Sequence, residues 1–341
     1  TTEIYTLSLH DALPIFMRKT FLTIIILGIL LSLLAACNTT AETDLSKPES
    51  SDLQSSDSAG ITIYSPMSTS SIPVILAAAQ FPEVDLVLYT NQSQANTEFL
   101  RGDADLLVSG LSVGVDLYRN GAPVQTVNSL VSGLSYLVTT GSPVTSISDL
   151  AGISVYVPFE GSPIDEIMAY LAKENGLEWK QDIQPVYSPF DSSIELLKQG
   201  EAEAVVLPEP SVTLVEDQPD VYISLDLFDE WNRATGSEDG YPQVVTLVNP
   251  DWAAENSEFL AEYNLALVDA IQSIQEDPDA VIEQVKDNYK LTPEKLLKSM
   301  NRTRYSLLSG AEMRDAVETY YQTIGKPLDE NFKDFYFIIA H

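Results

Sequence analysis

The side chains spaced to do chemistry in this sequence are hydroxyls and carboxylates rather than imidazoles or thiols. Residues 65–71 carry Ser65, Ser68, Thr69, Ser70 and Ser71, just after the β-branched run Ile61-Thr62-Ile63-Tyr64 and just before Ile72-Pro73. Proline is tolerated in a helix's first turn, so the order reads strand, hydroxyl loop, helix start. Free N–H donors at such a start, beside small hydroxyls, can hold an oxyanion without a formal positive charge. The same hydroxyls can equally serve as helix caps alone. Ser109, Gly110 and Ser112 follow another apolar strand, where Gly110 either admits a ligand to the backbone or simply turns the chain. Gly161 and Ser162 occupy a third such loop, and Ser162-Pro163-Ile164-Asp165 fits a capping box. Glu160, Asp165 and Glu209 are carboxylates near these loops. Aimed inward they call for a cationic or donor-rich ligand; otherwise they belong to an acidic surface. Tyr64, Tyr156, Phe159 and Trp231 can wall a ring or fill the core.

Composition removes other chemistries. The 341 residues hold 50 Asp+Glu against 18 Lys+Arg, a formal net charge of −32, with two His and one Cys. Nucleic-acid partners need clustered cations and are excluded. One Cys makes neither an intrachain disulfide nor a thiolate metal cage, and the two His stand at positions 10 and 341. No metal or cofactor is expected. Apolar residues make up 45% of the chain, enough for one large core or two modest ones. The profile favours binding over catalysis, so no catalytic residue is assigned.

The elements that must position these loops come in two passes. Strands are expected at 61–64, 84–89 and 106–109, with a helix opened by Pro73 and another ending at Gly102. The same grammar returns with strands at 153–157 and 204–207, a helix over 163–173 and another from Asp191 to Gly200. Leu100-Arg101-Gly102-Asp103-Ala104-Asp105-Leu106 aligns with Lys198-Gln199-Gly200-Glu201-Ala202-Glu203-Ala204. Both read helix end, glycine, acid-Ala-acid, strand. This predicts two lobes of related βαβ design. From Asp251 the pattern is helical (252–276, 278–289, 293–299, 310–324), read as bracing for the first lobe. Residues 231–242 read as a long loop placed to lie over the cleft.

The front of the chain is read apart from this body. Residues 1–16 show no periodicity and resemble translated sequencing-adapter sequence, foreign to the protein. Met17 opens an export signal: Arg18 and Lys19, an apolar run from Phe21 to Leu34, then Leu34-Ala35-Ala36-Cys37. At about 14 residues the run is shorter than the roughly 20 of a spanning helix. Leu-Ala-Ala-Cys resembles the lipobox of bacterial lipoproteins, which implies a signal peptide over 17–36 and a lipid-attached Cys37. Residues 37–59, rich in Ser, Thr, Asp and Glu, read as a disordered tether.

The order of parts resembles the α/β, two-lobe type II periplasmic-binding-protein fold. More narrowly it is similar to substrate-binding lipoproteins of ABC importers for nitrate, sulfonates and taurine, or thiamine-precursor pyrimidines (NMT1/THI5-like). The residues carrying the likeness are Phe99 to Asp105, Ser148-Asp149-Leu150-Ala151-Gly152-Ile153-Ser154-Val155, Gly161-Ser162-Pro163, and Leu196 to Ala204 with Glu209-Pro210. The resemblance implies a first lobe at 60–145, a second at 146–218, and a return to the first with helical C-terminal extension at 219–341. It also implies two hinge crossovers, closure on ligand, and delivery to an ABC permease with its ATPase subunit. The protein is then a monomer outside the cytoplasm, touching its membrane through the lipid alone.

The ligand-binding candidates are Ser65, Ser68, Thr69, Ser70, Ser71, Ser109, Gly110, Ser112, Gly161, Ser162 and Glu209. No Lys or Arg occurs between Asn120 and Ala172, or from Gln199 to Asn232. That favours a zwitterion or amine-bearing ring over a bare anion such as nitrate. Two alternatives remain: an enzyme on the same fold (chorismate-dehydratase-like or pyrimidine-synthesising), and a ligand-sensing lipoprotein.

Overall fold

The computed structural model describes residues 60–338. The expectations for residues 1–59, including the lipid-attachment site at Cys37, lie outside the described residues. So does the C-terminal His341.

Two mixed sheets organise the body. The first has six strands in the order β11-β4-β10-β3-β1-β2, and the second five in the order β7-β6-β8-β5-β9. In the first sheet β1 (Ile61–Pro66) lies parallel between β2 (Val84–Tyr89) and β3 (Leu106–Gly110). Antiparallel strands extend it: β10 (Val244–Val248), β4 (Gln125–Gly133) and β11 (Arg304–Ser309). In the second sheet β6 (Ser154–Val157) lies parallel between β7 (Gln184–Tyr187) and β8 (Ala204–Pro208). There β5 (Ser135–Thr140) pairs antiparallel with both β8 and β9 (Val221–Asp226).

The repeat read from the sequence is therefore structural. The triplet β2-β1-β3 has the topology of β7-β6-β8, and the aligned glycines occupy equivalent caps. Helix Gln92–Arg101 ends on Gly102 at φ 82°, and helix Phe190–Gln199 ends on Gly200 at φ 71°. Both are left-handed, which glycine adopts without a Cβ penalty.

Two crossovers join the sheets. Leu134 alone separates β4 from β5, while helix Leu227–Thr235 and the segment to Gln243 lead from β9 back to β10. The strands of the second sheet thus reach from 135 to 226, beyond 146–218 at both ends.

The C-terminal elements depart from expectation in three ways. The helix read over 252–276 breaks at Asn256 into Pro250–Glu255 and Ser257–Glu276, and Arg304–Ser309 is a strand. The helix expected at 278–289 stops at Val285. Bracing also reaches the second sheet's side. Lys326 and Tyr321 meet Glu166 on helix Pro163–Glu174, and Arg302 meets Glu209 and Glu216 beyond β8. Among the described residues no helix is long and apolar enough to cross a membrane.

Candidate functional site

Ligands of open α/β sheets sit beyond the carboxyl ends of parallel strands. In this fold the carboxyl ends of β1, β2, β3, β6, β7 and β8 are followed by loops or helix starts, and those of both triplets open on one shared space. A cavity of about 160 Å³ lies there. From the first sheet's side it is lined by Ser68, Ser70, Tyr89, Gln92, Ser109 and Gly110. From the second come Phe159, Ser162, Phe190 and Pro208, and the two crossovers add Leu134 and Gln243. Such a volume is close to the ~150 Å³ that holds one benzene in an engineered apolar cavity.

The hydroxyl loop divides. Ser68 and Ser70 line the cavity, their Oγ atoms 2.6 Å apart, and Ser68 Oγ accepts from Ser70 N–H at 3.2 Å. Ser65, Thr69 and Ser71 are buried but turned elsewhere. Ser65 Oγ bonds Ser71 Oγ at 2.6 Å, Ser71 donates to the Pro66 carbonyl, and Thr69 Oγ1 lies 2.7 Å from Thr303 Oγ1. These three hold the turn that presents the other two.

The remaining candidates divide likewise. Ser109, Gly110 and Ser162 line the cavity, whereas Ser112, Gly161 and Glu209 do not. Ser112 is 2% exposed, its Oγ without a hydrogen-bond partner. Ser162 Oγ accepts from Asp165 N–H at 3.1 Å, as a cap should, but the Asp165 carboxylate reaches back to Gly161 N–H instead of Ser162 N–H. Gly161 stands at φ 78° and serves this turn.

The three carboxylates near these loops, of which Glu209 is a ligand-binding candidate, are engaged elsewhere. Glu160 pairs with Lys180 on the surface. Asp165 accepts from Trp179 Nε1 at 2.8 Å and the Tyr187 hydroxyl at 3.1 Å. Glu209 is fully buried and accepts from Ser299 Oγ at 2.7 Å, Thr213 Oγ1 at 3.0 Å and Thr213 N–H at 3.2 Å, with Arg302 Nη1 at 3.4 Å. Burial pushes its carboxyl above the usual range, and those donors pull it back. Among the described residues, none that lines the cavity carries a charge.

Of the aromatic candidates, Phe159 alone lines the cavity. Trp231 is buried in a cluster with Tyr170, Tyr241 and Tyr320, ring centroids 5.1 to 5.4 Å from its own. Of the segment expected to cover the cleft, residues 231–235 end the helix Leu227–Thr235, Tyr241 and Pro242 are buried, and none of residues 231–242 lines the cavity.

Sequence reasoning missed Tyr89, Gln92, Phe190 and Gln243. Tyr89 ends β2 and Gln92 opens the next helix, so the strand-end rule reached them unused. Phe190 opens the helix after β7, a strand too short and proline-interrupted to be read. Burial pushes the Tyr89 phenol well up, and it donates to the Val108 carbonyl at 2.8 Å and Gln92 Oε1 at 3.0 Å. Gln243 carries no sequence signal; the crossover brings it in. Among the described residues no group of three His, Cys, Asp or Glu is placed to hold a metal ion.

Two topologically related α/β lobes, two crossovers and a cavity between them define a type II periplasmic-binding-protein fold. Solved structures of that fold superpose on most of the chain. The periplasmic aliphatic sulphonate binding protein SsuA from Escherichia coli gives a TM-score of 0.67 at 17% identity, covering 83% of this chain and 93% of its own. The alkanesulfonate-binding protein SsuA from Xanthomonas axonopodis pv. citri, bound to MOPS, gives 0.65 at 15%, covering 80% and 95%. An ABC transporter protein from Parabacteroides distasonis gives 0.65 at 18%, covering 83% and 100%. No curated protein matches the sequence. Residues 83–281 match the family described as NMT1/THI5 like, and the chain belongs to that family.

Proposed function

We propose that the protein is an extracytoplasmic solute receptor of an ABC importer, held to its membrane by lipid on Cys37 and working as a monomer. It captures a small polar organic molecule between two lobes and hands it to the permease and its ATPase subunit. The observation that carries this reading is the cavity lined at once from both sheets and both crossovers. A ligand placed there touches both lobes, so it binds the closed arrangement better than an open one and shifts the population toward it. The second lobe takes in β5 and β9 as well as residues 146–218, and the first lobe the chain on either side of them. No bond is made or broken. The cavity holds hydroxyls and amides but, among the described lining residues, no base or charged side chain that would activate a hydroxyl. Sulfonate, taurine-like and pyrimidine-type compounds form the starting set, in keeping with the sulfonate-binding proteins that share the fold.

The test is a thermal-shift screen of the mature chain against organosulfonates, taurine, nitrate, aminopyrimidines and a broad library of small amides. A ligand at a hundredfold excess over its Kd raises stability by about 2.7 kcal/mol. At least one compound should raise the melting temperature and be recovered chemically unchanged. A library in which nothing binds, or a ligand that the protein consumes, defeats the reading.

A further inference from the structure

Gln243 stands where the return crossover enters β10, and its three polar contacts reach three different parts of the molecule. Its N–H donates to the Val131 carbonyl in β4 at 3.0 Å, and its carbonyl accepts from Leu111 N–H, at the start of helix Leu111–Arg119, at 3.0 Å. Its side-chain Nε2 donates to Ser135 Oγ, the first residue of the second sheet's β5, at 2.7 Å. Only Oε1 is left. It is buried without a hydrogen-bond partner, on a residue 5% exposed that lines the cavity. With Nε2 turned to Ser135, Oε1 can only accept; the reversed amide, with the Ser135 hydroxyl donating to Oε1, would offer the cavity a donor instead, and an acceptor-only ligand distinguishes the two. A buried acceptor left unmet is costly, so the fitting partner is an N–H or O–H from whatever fills the cavity.

Ser109, 1% exposed and also lining the cavity, adds a hydroxyl that within the protein meets only the Tyr89 hydroxyl. The neighbouring Tyr89 hydroxyl has committed its proton to Val108 and Gln92.

Charge decides the rest of the ligand's chemistry. Four helix starts border the cavity, an arrangement that suits an anion in principle. Several of their first-turn donors are spent inside the protein, although the helices Leu111–Arg119 and Phe190–Gln199 have no side-chain cap. Leu111 N–H goes to Gln243, position 163 is proline, Asp165 N–H goes to Ser162, and Gln94 N–H goes to Asn91 Oδ1. With no cation among the described lining residues and a −32 chain, an ionised group would sit in the cavity poorly compensated.

We infer that Gln243 is the ligand-reading residue, and that its ligand is an electroneutral molecule of single-ring size presenting an amide, urea or hydroxyl donor to Oε1. The inference rests on the solute-receptor reading and narrows it. Because the same side chain is tied to Ser135 while its backbone is tied to β4, a ligand bond at Oε1 is felt by both lobes.

Isosteric sets on one ring test this by titration calorimetry of the mature chain: benzamide, benzoate, benzenesulfonate and acetophenone, then nicotinamide, nicotinate and pyridine-3-sulfonate. The amides should bind at least tenfold more tightly than the carboxylate, the sulfonate or the acceptor-only ketone. Gln243→Leu should weaken the amides at least tenfold, and Gln243→Glu, which keeps an acceptor in place, should weaken them less. Ser109→Ala, which gives up only the contact with the Tyr89 hydroxyl, should weaken them with the fold intact. The inference is overturned if an anion or the ketone binds as well as the amide, if Gln243→Leu leaves amide affinity unchanged, or if no member of either set binds. A ligand found only in the wider screen would overturn it while leaving the receptor reading in place.

Discussion

Ser109 couples stability to binding in opposite directions. Its hydroxyl is buried with only a loose contact to the Tyr89 hydroxyl, and an unmet buried polar group costs about 1–3 kcal/mol. Ser109→Ala removes that cost together with a contact to the ligand. The ligand-free variant should therefore be more stable than wild type by up to about 1 kcal/mol, the Tyr89 hydroxyl beside it easing part of the cost. In a protein of this size that is a rise of roughly 2 °C in melting temperature, read by calorimetry without ligand. A lower melting temperature would mean that the hydroxyl is satisfied internally. At this scale the sequence was half legible. It indicated hydroxyls at 65–71, but which of five face the cavity depends on a 3-10 turn at Thr69–Ser71. That turn directs Thr69 toward Thr303, 234 positions away. Glu209 stood at the right strand end and still turned inward, because Ser299, Thr213 and Arg302 offered donors that no local pattern announces.

Phe228, the second residue of helix Leu227–Thr235, is the element-level contact on which the crossovers turn. It packs against both connections, and each meets it with glycine. A Cβ on Gly133 would fall 2.8 Å from Phe228 Cβ, and one on Gly240 would fall 2.5 Å from the ring and 2.4 Å from the Ser132 carbonyl oxygen. Gly240 also stands at φ 72°. Gly240→Ala combines a left-handed strain with a backbone clash that a rotamer change cannot relieve, so about 2–3 kcal/mol of stability should be lost. Gly102→Ala, also left-handed but with nothing within 4 Å of the new Cβ, should cost only about 1 kcal/mol. Denaturant titrations of the pair check this; equal losses would mean that the crossover packing is loose. The outer elements were legible, because helix–Gly–strand junctions and hydroxyl caps are local signals. The central strands β4, β5 and β10 were not. They are buried on both faces and show no alternation, and β4 mixes Thr126, Asn128 and Ser129 into its core positions. Their pairing is set by partners more than sixty residues distant, and more than a hundred for β4 and β10, as with Val245 opposite Ser129.

At the scale of the whole molecule, acidity is a load that mild acid should relieve. Burial raises the carboxyl pKa of Asp105, Asp116, Glu166, Glu209 and Asp226, in each case as the largest cause. A carboxyl whose folded pKa exceeds its unfolded value binds more protons when folded, so stability falls as pH rises through the folded pKa. The contribution is fully present below the unfolded value, near 4. Glu98, Asp149 and Asp217 are shifted down by hydrogen bonds and act in the opposite sense, but they lie on the surface where water screens them. Self-repulsion of the −32 chain adds to the first trend, since protonation reduces it. Melting temperature should therefore rise as pH is lowered from about 8 to about 5, where the carboxyls begin to titrate. About 1 M sodium chloride, which shortens the Debye length to about 3 Å, should raise it more at the alkaline end than at the acid end. The ion pairs joining the C-terminal elements to the second sheet's side oppose this salt effect, among them Lys298 and Arg302 on Glu216 and Lys326 on Glu166. These are few against 50 acids, and a partly exposed pair is worth about 1 kcal/mol or less. Repulsion should therefore win. A melting temperature that fell on acidification across this interval, or fell with salt at the alkaline end, would show that those pairs, not the surplus of carboxylates, govern the stability of the folded chain.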